Sequence, residues 1–170
     1  MRAFKVLALL LVPLAGLAIC DQNRSEAATA TPGVAGPAYD TSPDANARFL
    51  ADYAVRPNVK KLPDGLMYRV LRAGDGPQPQ KNSDVATVYY KGSLISGKVF
   101  DQTKEEPAQF QAGALIPGWV EALKKMKTGD SWEIVLPSEL GYGADGAGDS
   151  IPPDQTLIFT MTLVKVEYAN

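Results

Sequence analysis

Two long runs with strand chemistry limit what this chain can fold into. Val85 to Ile95 (VATVYYKGSLI) is dense in β-branched and aromatic residues, and Thr156 to Val166 (TLIFTMTLVKV) carries a long alternating pattern. Leu66 to Arg72 alternates in the same way behind an Asp64-Gly65 turn, and Trp132 to Leu136 makes a further strand. Ser96-Gly97 reads as a two-residue turn, with Lys98-Val99-Phe100 as the return strand of a hairpin. Between these strands, Pro117 to Met126 has a helical period. Pro117 suits a first helical position, while Trp119, Val120, Leu123 and Met126 line one face. Lys124, Lys125 and Lys127 favour its C-terminal end, and Thr128-Gly129-Asp130 stops it. Strands outnumber the helix, and connections of hairpin length favour antiparallel pairing. The expected class is therefore α+β, an antiparallel sheet packed on one short helix.

The front of the chain reads differently. Arg2 and Lys5 precede an apolar run from Val6 to Cys20 that is broken by Pro13 and Gly16. That run is short for a membrane-spanning helix, so residues 1–20 read as an export signal. Leu17-Ala18-Ile19-Cys20 resembles a lipobox, which makes Cys20 the expected acylation site and its lipid the expected membrane attachment. Ordinary cleavage after Ala18 or Cys20 is the alternative, and either route leads out of the cytoplasm. Residues 21–45 are Ala, Thr, Pro, Gly and Ser with almost no large apolar side chain, the composition of a flexible tether. Residues 46–61 then hold a short amphipathic helix, with Phe49, Leu50 and Tyr53 on one side and Arg56-Pro57 ending it, followed by a connector.

Composition removes several chemistries. With no His and one Cys among 170 residues, the chain has no imidazole base, no His-ligated metal, no thiolate cluster and no internal disulfide. Seventeen Lys plus Arg against nineteen Asp plus Glu leave a charge of −2, which gives no electrostatic reason to expect nucleic acid. The segment Ser138 to Asp154 (SELGYGADGAGDSIPPD) is neither helix nor strand in pattern. Its glycines lack the strand–GxxxxGK[ST]–helix context of a phosphate loop, and its acids lack EF-hand spacing. A loop of that length inside a compact domain is more often functional than decorative.

Six short motifs then fall in a recognisable order. They are Val88-Tyr89-Tyr90-Lys91-Gly92, Gly97-Lys98-Val99-Phe100-Asp101, Leu115-Ile116-Pro117-Gly118-Trp119, Leu140-Gly141-Tyr142-Gly143, Ile151-Pro152-Pro153 and Thr156-Leu157-Ile158-Phe159. Over residues 62–168 the chain resembles the FKBP-type peptidyl-prolyl isomerases, the macrolide-binding immunophilins. Its approach segment and Pro107-Ala108-Gln109-Phe110 are similar to the exported bacterial branch that includes macrophage infectivity potentiator. The resemblance implies a five- to six-stranded antiparallel sheet wrapped around the helix, with a shallow apolar pocket between them.

By matching positions, the resemblance assigns Tyr90, Phe100, Asp101 and Tyr142 to catalysis, and Phe110, Leu115, Ile116, Trp119, Ile151 and Phe159 to substrate binding. Trp119 would form the floor, and the Ile116 N–H and the Tyr142 hydroxyl would be donors to the substrate backbone. Taken one at a time, strand aromatics are usually core, and Asp101 and Tyr142 would pass for solvated turn and loop residues. Their convergence at family spacing is what lends them a role. The chain between Phe100 and Phe110 is two residues shorter than in the small cytosolic members, which leaves Lys104 as the nearest candidate for a basic partner of Asp101.

The implied activity is rotation of X–Pro bonds in unfolded or exported polypeptides, in the periplasm, without cofactor or metal. Macrolides of the immunophilin class are the implied inhibitors. The helical arm is too short to expect the dimer of long-armed relatives, so a monomer is expected. A non-catalytic holdase using the same groove is the alternative, with the Phe49–Tyr53 helix serving dimerisation or capture. A structural lipoprotein that keeps only the scaffold fits less well with the intact Tyr90, Asp101, Trp119 and Tyr142 set.

Overall fold

The computed structural model describes residues 39–169. The expected export signal, Cys20 and most of the expected tether lie outside them. Seven strands form one sheet in which every pairing is antiparallel: β1 (Lys60–Lys61), β2 (Met67–Arg72), β3 (Val85–Leu94), β4 (Val99–Gln102), β5 (Ala108–Gln111), β6 (Ser131–Leu136) and β7 (Leu157–Glu167). Their order is β1-β2-β6-β7-β3-β4, with β5 also paired to β3. Strand β3 is long enough to hold two partners on one edge. β5 takes its Val85–Val88 half, and β4 takes Lys91–Ser93. The sheet is thus six positions wide, within the five to six strands that the resemblance implies, with its last position split between two short strands.

The two long runs of the sequence lie side by side at the centre, from Val85↔Glu167 to Leu94↔Leu157. Alternation along them creates two faces. On one face Val88, Leu94, Trp132, Ile134, Leu136, Leu157, Phe159, Met161 and Leu163 pack on helix α2 (Pro117–Lys125) through Trp119, Ala122, Leu123 and Met126. The opposite face presents Met67, Val135 and Ile158, and it carries a second core. Helix α1 (Pro43–Ala54) covers it with Ala45, Phe49 and Tyr53. Both helices read from the sequence are present, one on each face. The sheet is clad on both sides, and the apolar stripe of α1 is buried against strands rather than held out for a partner.

Local chemistry explains the element boundaries. Helix α1 starts at Pro43, ahead of the expected Asn46, because the Ser42 side chain accepts from the Ala45 N–H at 3.2 Å and Pro43 takes the first turn. Helix α2 opens on Pro117 as expected, and Lys124 and Lys125 fill its last turn. The hairpin between β3 and β4 turns through three residues, Ile95-Ser96-Gly97, instead of two. Leu94 N–H donates to Lys98 O at 2.9 Å, Gly97 N–H donates to Leu94 O at 2.9 Å, and Gly97 sits at φ +85°. A left-handed third residue is what such a loop requires. The segment after β6 contains two single 3₁₀ turns, Ser138–Leu140 and Gly143–Asp145, and an isolated bridge between Ala147 and Ile151. Its neck closes where the Asp154 N–H donates to Gly143 O at 2.9 Å.

Candidate active site

The face of the sheet that carries α2 does not close completely over that helix. An open cavity of about 300 Å³ remains at the N-terminal end of the helix. All ten residues assigned from sequence line it, and Ala147 and Ser150 complete the wall.

The floor is Trp119, placed by the first turn of α2, where its N–H donates to Ile116 O at 2.9 Å. Its indole is 4 % exposed and meets three rings edge to face: Tyr90 at 5.1 Å, Phe159 at 5.2 Å and Phe110 at 5.8 Å. Phe100 stands at 85° to Phe159, with centroids 5.5 Å apart. Edge-to-face contacts of this kind add to simple burial and fix ring orientation. Gly92 makes the arrangement feasible. A Cβ there would stand 2.6 Å from the Phe100 ring and 2.7 Å from Phe159, so β3 must have no side chain at this point.

The polar groups gather at the rim. The Tyr90 hydroxyl donates to Asp101 Oδ2 at 2.6 Å, across the β3–β4 pair. Burial pushes the Tyr90 phenol up to about 12, helped by its bond to Asp101 and by the nearby negative charge. Thr103 braces the same crossing: its Oγ1 accepts from the Tyr90 N–H at 3.0 Å, and its own N–H donates to Tyr90 O at 2.9 Å. Sequence reading did not single out Thr103, because a lone threonine after a short strand carries no signal of its own. No Lys or Arg among the described residues forms an ion pair with Asp101. The Asp101 carboxylate is met instead by the Tyr90 hydroxyl.

Tyr142 is 39 % exposed at the mouth, and Ile151 is carried inward by its paired bonds with Ala147. The Ile116 N–H, just ahead of α2, donates to no acceptor among the described residues. Pro117 follows it and forces an extended geometry, which is observed at φ −57° and ψ 145°. Asp101, Tyr90 and Tyr142 are the ionisable groups among the lining residues. The cavity is equipped to hold a compact apolar group against an indole while rim donors and a carboxylate meet the polar backbone on either side.

A six-position antiparallel sheet with one face packed on α2, and an aromatic cup at the N-terminus of that helix, defines a class of small α+β domains. The profile described as FKBP-type peptidyl-prolyl cis-trans isomerase matches residues 76–164. The chain belongs to this family. It is 45% identical over 123 residues to the outer membrane protein MIP of Legionella longbeachae, covering 71% of this chain and 52% of that protein. It is 42% identical over 121 residues to the FKBP-type 22 kDa peptidyl-prolyl cis-trans isomerase of Escherichia coli K12, covering 70% of this chain and 58% of the relative. The chain thus spans about half the length of these curated relatives. Among solved structures, a peptidyl-prolyl cis-trans isomerase from Pseudomonas syringae pv. tomato superposes with a TM-score of 0.69 at 40% identity, over 74% of this chain and 92% of that one. FkpA from Escherichia coli gives the same TM-score at 42% identity, over 74% of this chain and 59% of that one.

Proposed function

We propose that the protein accelerates cis–trans rotation of X–Pro bonds in exported polypeptides. The Trp119-floored cup carries this reading. It is aromatic where a pyrrolidine ring would sit and polar at the edge, where the peptide groups beside it would lie.

The reaction needs no nucleophile, metal or obligatory proton transfer. Its barrier of about 18–20 kcal/mol is the amide resonance lost on twisting. The twisted amide has less charge separation than the planar one, so an apolar site raises the ground state relative to the transition state. In this scheme the proline ring lies on Trp119 between Tyr90, Phe100 and Phe159. The Ile116 N–H and the Tyr142 hydroxyl hold the flanking backbone. Asp101, fixed by Tyr90, faces the rotating carbonyl's neighbourhood and disfavours the planar orientation. A 10⁶-fold acceleration asks for roughly 8 kcal/mol of differential stabilisation, which desolvation and a few oriented contacts supply.

The export signal expected from residues 1–20 favours action outside the cytoplasm, as does a relative named as an outer membrane protein. A lipid on Cys20 would tether the domain to a membrane, and mass spectrometry of the mature N-terminus tests that. Macrolide inhibitors of the immunophilin class belong to the same reading. So does a monomer, because α1 uses its apolar stripe within its own chain.

The deciding experiment is a protease-coupled proline isomerisation assay on the protein and on Asp101→Ala. Acceleration that falls roughly tenfold in the variant supports the reading. A folded protein that suppresses aggregation of unfolded chains without accelerating rotation would establish the holdase instead.

A further inference from the structure

We propose that Asn46, on the helix that covers the far face of the sheet, is a positioning residue for the Ser138–Asp154 loop, with Gln155 as its relay. The inference rests on the isomerase reading only for its activity measurement.

Asn46 is 5 % exposed and Gln155 is 6 % exposed, and both side chains are engaged on more than one side. Asn46 Oδ1 accepts from the Thr156 N–H at 2.8 Å. Its Nδ2 donates to Ser42 O at 2.9 Å and to Gln155 Oε1 at 3.4 Å. Gln155 Nε2 in turn donates to Pro153 O at 2.9 Å and to Thr41 O at 3.2 Å.

The Thr156 bond matters because of where the sheet stops. The pairings of β7 with β6 and with β3 both end at Leu157, so no strand supplies an acceptor for the amide one residue earlier. Thr156 is only 1 % exposed, so water does not supply one either. A buried N–H without an acceptor is strongly disfavoured, and Asn46 is what satisfies this one. The residue that anchors α1 therefore also fixes the point at which the cavity loop re-enters the sheet.

That point lies close to the cavity in sequence. Ile151, which lines the cavity, is separated from Gln155 by Pro152, Pro153 and Asp154. Proline fixes φ and leaves the linkage little freedom to absorb a displacement. Asp154 also closes the loop neck onto Gly143, the residue after Tyr142. A shift at Thr156 is thereby passed to both Ile151 and Tyr142.

A control on the same helix separates positioning from simple docking. The Tyr53 hydroxyl donates to Glu133 Oε1 at 2.8 Å and secures α1 to β6 without touching the loop. Three variants, Asn46→Ala, Asn46→Asp and Tyr53→Phe, should be compared with the wild type at a temperature where all are folded. The readouts are kcat/KM for a proline peptide and backbone ¹⁵N relaxation. Asn46→Ala should lose roughly three- to tenfold in kcat/KM, with new mobility confined to residues 138–156. Asn46→Asp keeps the acceptor for Thr156 but turns an oxygen toward Ser42 O and Gln155 Oε1 where Asn46 donates, so it should recover only part of the activity. Tyr53→Phe should retain wild-type kcat/KM and an ordered loop. If Asn46→Ala does not fold, Gln155→Ala, which keeps the Thr156 bond, should show the same loss in milder form.

The proposal is overturned if folded Asn46→Ala matches wild type in both readouts, or if Tyr53→Phe loses as much activity. A wild-type protein without isomerase activity would remove the functional reading, while the relaxation contrast would still decide the clamp.

Discussion

Asp101 differs from the other groups around the cavity because it is exposed and charged, and its partner is a phenol rather than a cation. Removing it should cost little packing, since surface substitutions of this kind usually change stability by no more than about 0.5 kcal/mol. Asp101→Ala is therefore expected to melt with the wild type while kcat/KM falls. A matching fall in melting temperature would make Asp101 structural. Tyr90→Phe examines the same bond from the other side: it keeps the ring against Trp119 but leaves Asp101 without its donor. Because burial and Asp101 hold the Tyr90 phenol near 12, the donor stays protonated through neutral and mildly alkaline pH. The Tyr90–Asp101 bond should accordingly add no alkaline limb to the kcat/KM profile up to about pH 9 in the wild type. A limb present in the wild type and missing in Tyr90→Phe would contradict that. Gly92→Ala should damage the cup without altering any polar group, because the new methyl collides with Phe100 and Phe159. Its test is loss of proline-peptide binding in a protein that keeps its sheet by circular dichroism.

At the level of elements, α1 is the least expected contributor. Its helical period was legible in Phe49, Leu50 and Tyr53, but the surface it covers was not. That surface is made of single outward residues, Met67, Val135 and Ile158, drawn from three strands that are distant in sequence. Each reads locally as the ordinary off-phase position of a strand. Phe49 is 5 % exposed and stacks with Tyr53 at 5.9 Å, with the Arg56 guanidinium 5.6 Å from its ring. Phe49→Ala should destabilise the protein by about 3–5 kcal/mol in denaturant titration, the usual cost of emptying a buried aromatic site. A loss below about 1 kcal/mol would mean that α1 is only loosely applied to the sheet. The long central strands and α2 could be read from sequence because each carries its own period over many residues. The two-residue β1 and four-residue β5 could not, because so short a segment owes its strand form to the neighbour it pairs with. The cavity wall was readable for a related reason. All its members but Phe110, Ala147 and Ser150 lie in six compact motifs with fixed spacing, whereas Thr103, Asn46 and Gln155 act through backbone groups that leave no trace in residue pattern.

The described residues form one sheet with a core on each face, and its ends are held by buried polar contacts as well as by apolar area. Asp84 is the clearest of these. It has no exposed surface and sits just before β3, where its carboxylate accepts from the Lys81 and Gln80 N–H groups at 2.8 Å each and from the Ala169 N–H at 3.0 Å. One side chain thus ties the loop before the central strand to the chain beyond β7. The bond from Lys81, then those from Gln80 and Ala169, favour the charged form and hold the carboxyl below its ordinary value. The sign of the pH effect follows from linkage. A carboxyl whose pKa is lower in the folded state adds stability that is fully present above the unfolded value of about 3.9, and that is lost as pH falls through the lower folded value. Asp40, lowered by its bonds from the Ser42 side chain and N–H, acts in the same direction from an exposed site. Asp84→Asn keeps the shape but offers one oxygen to three donors, so it should melt lower than wild type at neutral pH. Its stability should also fall less steeply below about pH 4, because the titrating group is gone. Thermal melts of both proteins from neutral to strongly acid pH measure the two slopes. Converging curves would place acid sensitivity at Asp84, and curves that stay parallel into acid would assign it to other carboxylates and leave Asp84 as a neutral-pH brace alone.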